Sequence, residues 1–157
     1  MKPEKGAAVA EVLFYHLTES RMEDALPSLL EKSVERGWRV GVQIPDAARR
    51  DFLDNHLWTY RDDSFLPHGT DAGETPENQP VLLTIAGDNI NAATVRFCID
   101  GVAAPEDLAY ERVVFVFDGH DQAQLDTARS EWKRLKTEGH SLTYWQQSPE
   151  GRWQKKA

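Results

Sequence analysis

The order of apolar patterns in the first 57 residues leaves this chain few folds to choose from. Residues 9–16, with Val12, Leu13, Phe14 and Tyr15, form an apolar run of strand length. Met22, Leu26, Leu29, Leu30 and Val34 then recur at helical spacing as far as Gly37, a residue suited to a left-handed helix end. Residues 38–44 read as a second strand, Pro45 stops it, and Asp46 caps a second helix whose expected core face is Ala47, Phe52, Leu53 and Leu57. Strand, helix, strand, helix predicts a parallel sheet with right-handed crossovers, because parallel neighbours need a long connection between them.

Local chemistry adds detail. Ser20 with Glu23 has the spacing of a capping box for the first helix, and Pro27 predicts a kink or a later helix start. Strands are expected at 81–85, 94–99 and 113–117, the last a five-residue apolar run suited to the middle of a sheet. Asp121 with Gln124 caps a last long helix that Gly139 ends, and residues 141–146 form a final strand. Periodicity disappears across 60–80, where three prolines and two glycines lie among acids. Structureless stretches of that length in compact domains are usually functional or disordered. Residues 87–89 and 103–107 read as connections. The expected organisation is a loose tail at 1–8, one domain over 9–148 and a polar tail at 149–157.

A chain of 157 residues buries roughly 70% of its unfolded surface and needs no covalent staple. Cys98 stands alone in an apolar run and reads as a buried core thiol. The apolar stretches are of strand length and the opening residues lack the apolar core of a signal peptide, so the expected location is the cytoplasm, with no membrane contact.

Charge divides the chain sharply. Residues 1–128 carry 11 basic and 23 acidic side chains, net −12, whereas 129–157 carry 7 and 3, net +4. Arg129, Lys133, Arg134 and Lys136 all fall on the last predicted helix. At 100° per residue Leu125, Ala128, Trp132 and Leu135 share an arc of about 80° that should face the sheet. Arg129, Lys133 and Lys136 occupy the adjoining arc, Trp132 stands on the border, and Arg134 points the other way. An aromatic wall beside three cations suits a ligand that is part hydrophobic and part anionic. The plain alternative is a solvated helix face whose late basic residues complement the macrodipole.

Catalytic motifs are not found. The first strand is followed by HLTESRME, with no glycine-rich phosphate loop, and no GxxxxGK[ST] occurs. Asp118, at the end of the 113–117 strand, reads as a turn former with Asp121 as cap. His68 and His120 lack ligand spacing and read as solvent-exposed loop residues. Asp62 and Asp63 read as a solvated turn, and Ser33, Ser64 and Ser130 lack a nucleophile elbow. No metal or cofactor is expected.

The opening strand LFYHL, the Gly37-Trp38-Arg39-Val40 entry to the second strand, Leu57-Trp58 followed by Ser64-Phe65-Leu66-Pro67-His68, and the 129–139 helix together resemble the chi subunit of bacterial DNA polymerase III, over about residues 9–145. The resemblance implies a Rossmann-like three-layer α/β/α fold, mostly parallel, without a nucleotide site, cofactor or enzymatic activity of its own. It further implies an accessory role in DNA replication, linking the clamp loader, through the psi subunit, to single-stranded-DNA-binding protein and so to DNA indirectly. The ligand implied is that protein's acidic, aromatic-ended C-terminal tail. Carried over by residue, the tail pocket would include Phe117, Arg129, Trp132, Lys133, Lys136 and, more weakly, Leu142. Trp132 stands where the family usually has tyrosine, and Lys136 where arginine is common. Trp58, Phe65, Leu66, Pro67 and His68 would contact psi or a competing helicase.

Two other classes compete with this adaptor. A direct single-stranded nucleic-acid binder would use the helix with Arg152, Trp153, Lys155 and Lys156, against a net charge of −8. A small metal-dependent hydrolase would use Asp118, His120 and Asp121.

Overall fold

The computed structural model describes residues 9–61, 65–106 and 108–157. The expectations for residues 1–8, for Asp62, Asp63 and Ser64, and for Asp107 lie outside the described residues. Among those described, the elements in chain order are β1 (Glu11–Leu17), α1 (Met22–Glu35), β2 (Val40–Gln43), α2 (Ala47–Thr59), β3 (Gly69–Thr70), a 3₁₀ turn (Pro76–Asn78), β4 (Val81–Thr84), β5 (Val95–Ile99), β6 (Arg112–Asp118), α3 (Gln122–Thr137), β7 (Ser141–Gln147) and β8 (Trp153–Lys155). The strands form one sheet in the order β3-β4-β2-β5-β6-β1-β7-β8. Every pairing is parallel except β7 with β8. The protein is a mostly parallel three-layer α/β fold.

Strand parity sorts side chains to the two faces. From β1, Leu13, Tyr15 and Leu17 join the core under α1 and α2, with Leu26, Leu30, Leu53 and Leu57. Val12 and Phe14 join the opposite core with Phe115, Phe117, Ala128 and Leu135 under α3. Strands β5 and β6 are buried on both faces, which explains their uninterrupted apolar runs. Cys98 is buried there as expected; burial pushes its thiol up to about 12, so it stays protonated at neutral pH.

Both helix-ending glycines adopt positive φ, Gly37 at 78° and Gly139 at 90°. Asp46 caps α2 by accepting from the Arg49 N–H at 2.8 Å. The capping box does not form. Arg21 is the N-cap of α1 without a side-chain bond, and the Ser20 hydroxyl instead accepts from Gln147 Nε2 at 2.9 Å. Pro27 neither delays nor ends α1, which runs from Met22 to Glu35 with Pro27 buried inside. A proline at this position cannot donate to the Glu23 carbonyl four residues back. That carbonyl accepts from His56 Nε2 of α2 at 2.6 Å instead.

The core face of α2 is narrower than expected. Leu53 and Leu57 are buried, whereas Ala47 is exposed and Phe52 is 48% exposed. The 60–80 segment also has more order than its composition suggested. It contains β3 and the 3₁₀ turn, and Asp71 anchors it by accepting from Arg50 at 2.9 Å, the Thr84 hydroxyl at 2.9 Å and the Ile85 N–H at 3.0 Å. The segment read as a polar tail carries β8, whose Trp153 packs edge-on against Tyr15 at 5.0 Å.

Candidate functional site

Helix α3 leaves the sheet through a turn built from the acids picked out in the sequence. The Asp118 carboxylate accepts from the His120 N–H at 2.9 Å, and Asp121 caps the helix by accepting from the Gln124 N–H at 3.1 Å. A Cβ on Gly119 would collide with the His16 imidazole and the Leu17 carbonyl, so this turn requires glycine. His120 is exposed, as expected, but its Nε2 donates to the Thr18 carbonyl at 2.8 Å. Among the described residues, no His, Cys, Asp and Glu group could hold a metal.

Along α3 the predicted arcs are observed. Ala128 and Leu135 are buried, and Leu125 and Trp132 pack half-buried beside them. The Trp132 ring meets Phe14 at 5.3 Å and Tyr144 at 5.7 Å, both edge-on. Arg129, Lys133 and Lys136 are exposed. Asp126 approaches Arg129 at 3.8 Å, and neither lysine has an ion pair among the described residues. Arg134 turns aside, held by Glu131 at 2.7 and 2.9 Å and by Glu138 at 3.4 Å. Glu131 is itself buried, and its Oε1 also accepts from the Ala104 N–H at 2.7 Å.

Phe117 does not line this face directly. It is 2% exposed, lying beneath His16 at 5.1 Å and Tyr144 at 6.2 Å. Those two half-buried side chains carry the ring surface above it. The Tyr144 hydroxyl and His16 Nδ1 share a hydrogen bond at 2.9 Å. Burial first, then repulsion from His120 and Arg129, lowers the His16 pKa, with Asp118 opposing. A neutral imidazole can accept that bond. Leu142 is half-buried at the margin of the same core. Sequence reasoning missed His16 and Tyr144. Their signal was parity: His16 alternates with Phe14, and Tyr144 pairs in register with Phe14.

The second predicted surface divides in two. Leu66 and His68 are core residues, 2% and 5% exposed, so His68 is not the exposed loop residue its sequence context suggested. Its Nδ1 meets the Leu66 carbonyl at 2.8 Å and its Nε2 the Asp54 carbonyl at 3.2 Å. Pro67 is half-buried. Trp58 and Phe65 are surface residues, 48% and 70% exposed, stacked at 5.8 Å, and Trp58 covers His68 at 4.1 Å. This pair adjoins α2, which packs on β3 and β4 at the opposite end of the sheet from α3.

Comparison with known proteins agrees with this architecture. The sequence model of the family described as DNA polymerase III chi subunit, HolC, matches residues 9–143. A protein of Rickettsia prowazekii named probable DNA polymerase III subunit chi is 30% identical over 95 residues, covering 60% of this chain and 55% of that protein. The DNA polymerase III subunit chi of Pseudomonas aeruginosa is 38% identical over 53 residues, 31% of this chain and 36% of that one. The chain thus spans about half or less of the length of these relatives. Among the described residues no helix is long and apolar enough to cross a membrane. With its family model matched from β1 into β7, the chain belongs to the DNA polymerase III chi subunit family.

Proposed function

We propose that the chain is a non-catalytic accessory subunit of a cytoplasmic replication assembly. Its α3 face binds the acidic, aromatic-ended C-terminal tail of single-stranded-DNA-binding protein. One observation carries this reading: Arg129, Lys133 and Lys136 stand exposed beside the half-buried rings of Trp132 and Tyr144, in a chain otherwise dominated by acids. Exposed ion pairs contribute about 0–1 kcal/mol each, too little for useful affinity alone. An anchored aromatic side chain contributes about 1.5–3 kcal/mol more, and capture of a free carboxylate adds direction. Together these support micromolar binding. The stacked Trp58 and Phe65 would dock psi or a helicase, connecting the tail to the clamp loader.

A synthetic acidic peptide ending in Pro-Phe should bind in the micromolar range by calorimetry and more weakly in high salt. Lys133→Glu or Trp132→Ala should weaken it at least tenfold. Equal affinity for the C-terminally amidated peptide would rule out carboxylate capture.

A further inference from the structure

On the face of the sheet opposite α3, the C-terminal half of α1 does not reach across β7 and β8, and a groove of about 470 Å³ remains. Five rings line it: Tyr15, Trp38, Trp145 and Trp153, which are half-buried, and Phe97, which is buried at its floor. Three follow from register, because Tyr15 pairs with Trp145 across β1 and β7, and Trp153 of β8 packs against Tyr15. Lys32, Arg36 and Arg112 supply three positive charges against one acid, Glu11, which is already bound to Arg112 at 2.9 Å. The guanidinium groups of Arg36 and Arg112 both lie over the Trp38 ring, 4.9 and 4.1 Å from its centre. The Trp145 indole N–H is buried and has no acceptor among the described residues.

We propose that this groove is a binding site for single-stranded nucleic acid. Base faces stack on aromatic side chains without regard to sequence, while cations track the phosphates. Lys32 and Arg36 are exposed and placed for phosphates. A cavity of this size takes about one or two nucleotides and no duplex. The chain's own residues 1–8 are a poor occupant, with Lys2 and Lys5 against one Glu and no aromatic. An acidic peptide would satisfy the cations, but with one aromatic side chain at its end it presents a single flat face to the groove's rings, where consecutive nucleotides present one each. The site does not depend on tail binding at α3. Trp145 and Trp153 both lie beyond residue 143, where the family match ends.

Three of the chain's five tryptophans line the groove, so intrinsic fluorescence reports on it directly. Titrating the full chain with a short oligodeoxythymidylate at low salt should quench that fluorescence with micromolar to submillimolar affinity. The plot of log affinity against log salt should fall by about 0.7 per phosphate held. Trp153→Ala should weaken binding about tenfold. Arg36→Glu, which reverses an exposed charge, should do the same in protein whose melting midpoint is checked alongside, whereas Lys133→Glu on α3 should change nothing. The proposal is overturned by no quenching at low salt, by affinity indifferent to Arg36→Glu, by loss of binding in Lys133→Glu, or by a groove that responds to the acidic peptide and not to the oligonucleotide. Lys133→Glu assigns peptide binding to α3 and Arg36→Glu assigns oligonucleotide binding to the groove, so either site can fail without the other.

Discussion

At the scale of single residues, two buried polar side chains hold backbone that no local pattern would have satisfied. Gln147 Oε1 accepts from the N–H groups of Thr18, Glu19 and Ser20 at 2.9–3.0 Å, fixing the segment between β1 and α1. Gln147→Ala would orphan three donors at once and should cost about 2–3 kcal/mol in urea denaturation. Arg96, 1% exposed, donates to Gln43 Oε1 and the Ala86 carbonyl at 2.7 Å each. Gly41 makes room for it, since a Cβ there would stand 3.3 Å from the guanidinium. Neither residue stood out in the sequence, because a polar residue inside an apolar strand does not announce its partners. The expected capping box failed for the same reason: Ser20 found Gln147, 127 residues away, rather than Glu23.

At the scale of elements, legibility followed periodicity. The three α-helices and the inner strands repeat at 3.6 or run apolar for strand length, and their positions were readable to within a few residues. The 149–157 segment offered no repeat; β8 is three residues long, and its one apolar anchor, Trp153, sits among polar neighbours. Residue 117 was read as a direct pocket contact, but strand position does not reveal depth: β6 is buried on both faces from Val113 through Phe117, and His16 and Tyr144 lie above it. The 60–80 segment hid an acid-sensitive clasp. Burial alone would raise the Asp71 pKa, but hydrogen bonds from Ile85 and Thr84 and the Arg50 charge outweigh it and hold it below the ordinary value. A depressed folded-state pKa stabilises the protein above the unfolded carboxylate value of about 3.9 and loses that contribution as pH falls through the folded value. Asp71→Asn should therefore lower stability at pH 7 and flatten the fall in thermal midpoint below about pH 4, a difference that a pH series of melts would read.

At the scale of the whole molecule, the basic residues form two separate surfaces, α3 from the cationic end of the sequence and the groove from its acidic part. Cations gather on α3 and around the groove on the opposite face, while the Trp58–Phe65 stack stands toward the far end of the sheet. Side chains this far apart should act additively. Combining Trp58→Ala with Phe65→Ala should leave the affinity for the acidic peptide within about twofold, while the melting midpoint falls modestly because Trp58 covers His68. The same pair should abolish co-purification of any docking partner, and a lost peptide affinity would show that the surfaces are coupled. The sheet's two borders carry a consequence of their own. Among the described residues, one outermost strand, β3, has two residues and the other, β8, has three and runs antiparallel to its neighbour. Such blunt margins give an incoming chain almost no backbone to zip onto. Strand addition is disfavoured at these two short margins, which leaves side chains on the faces as the larger binding surfaces.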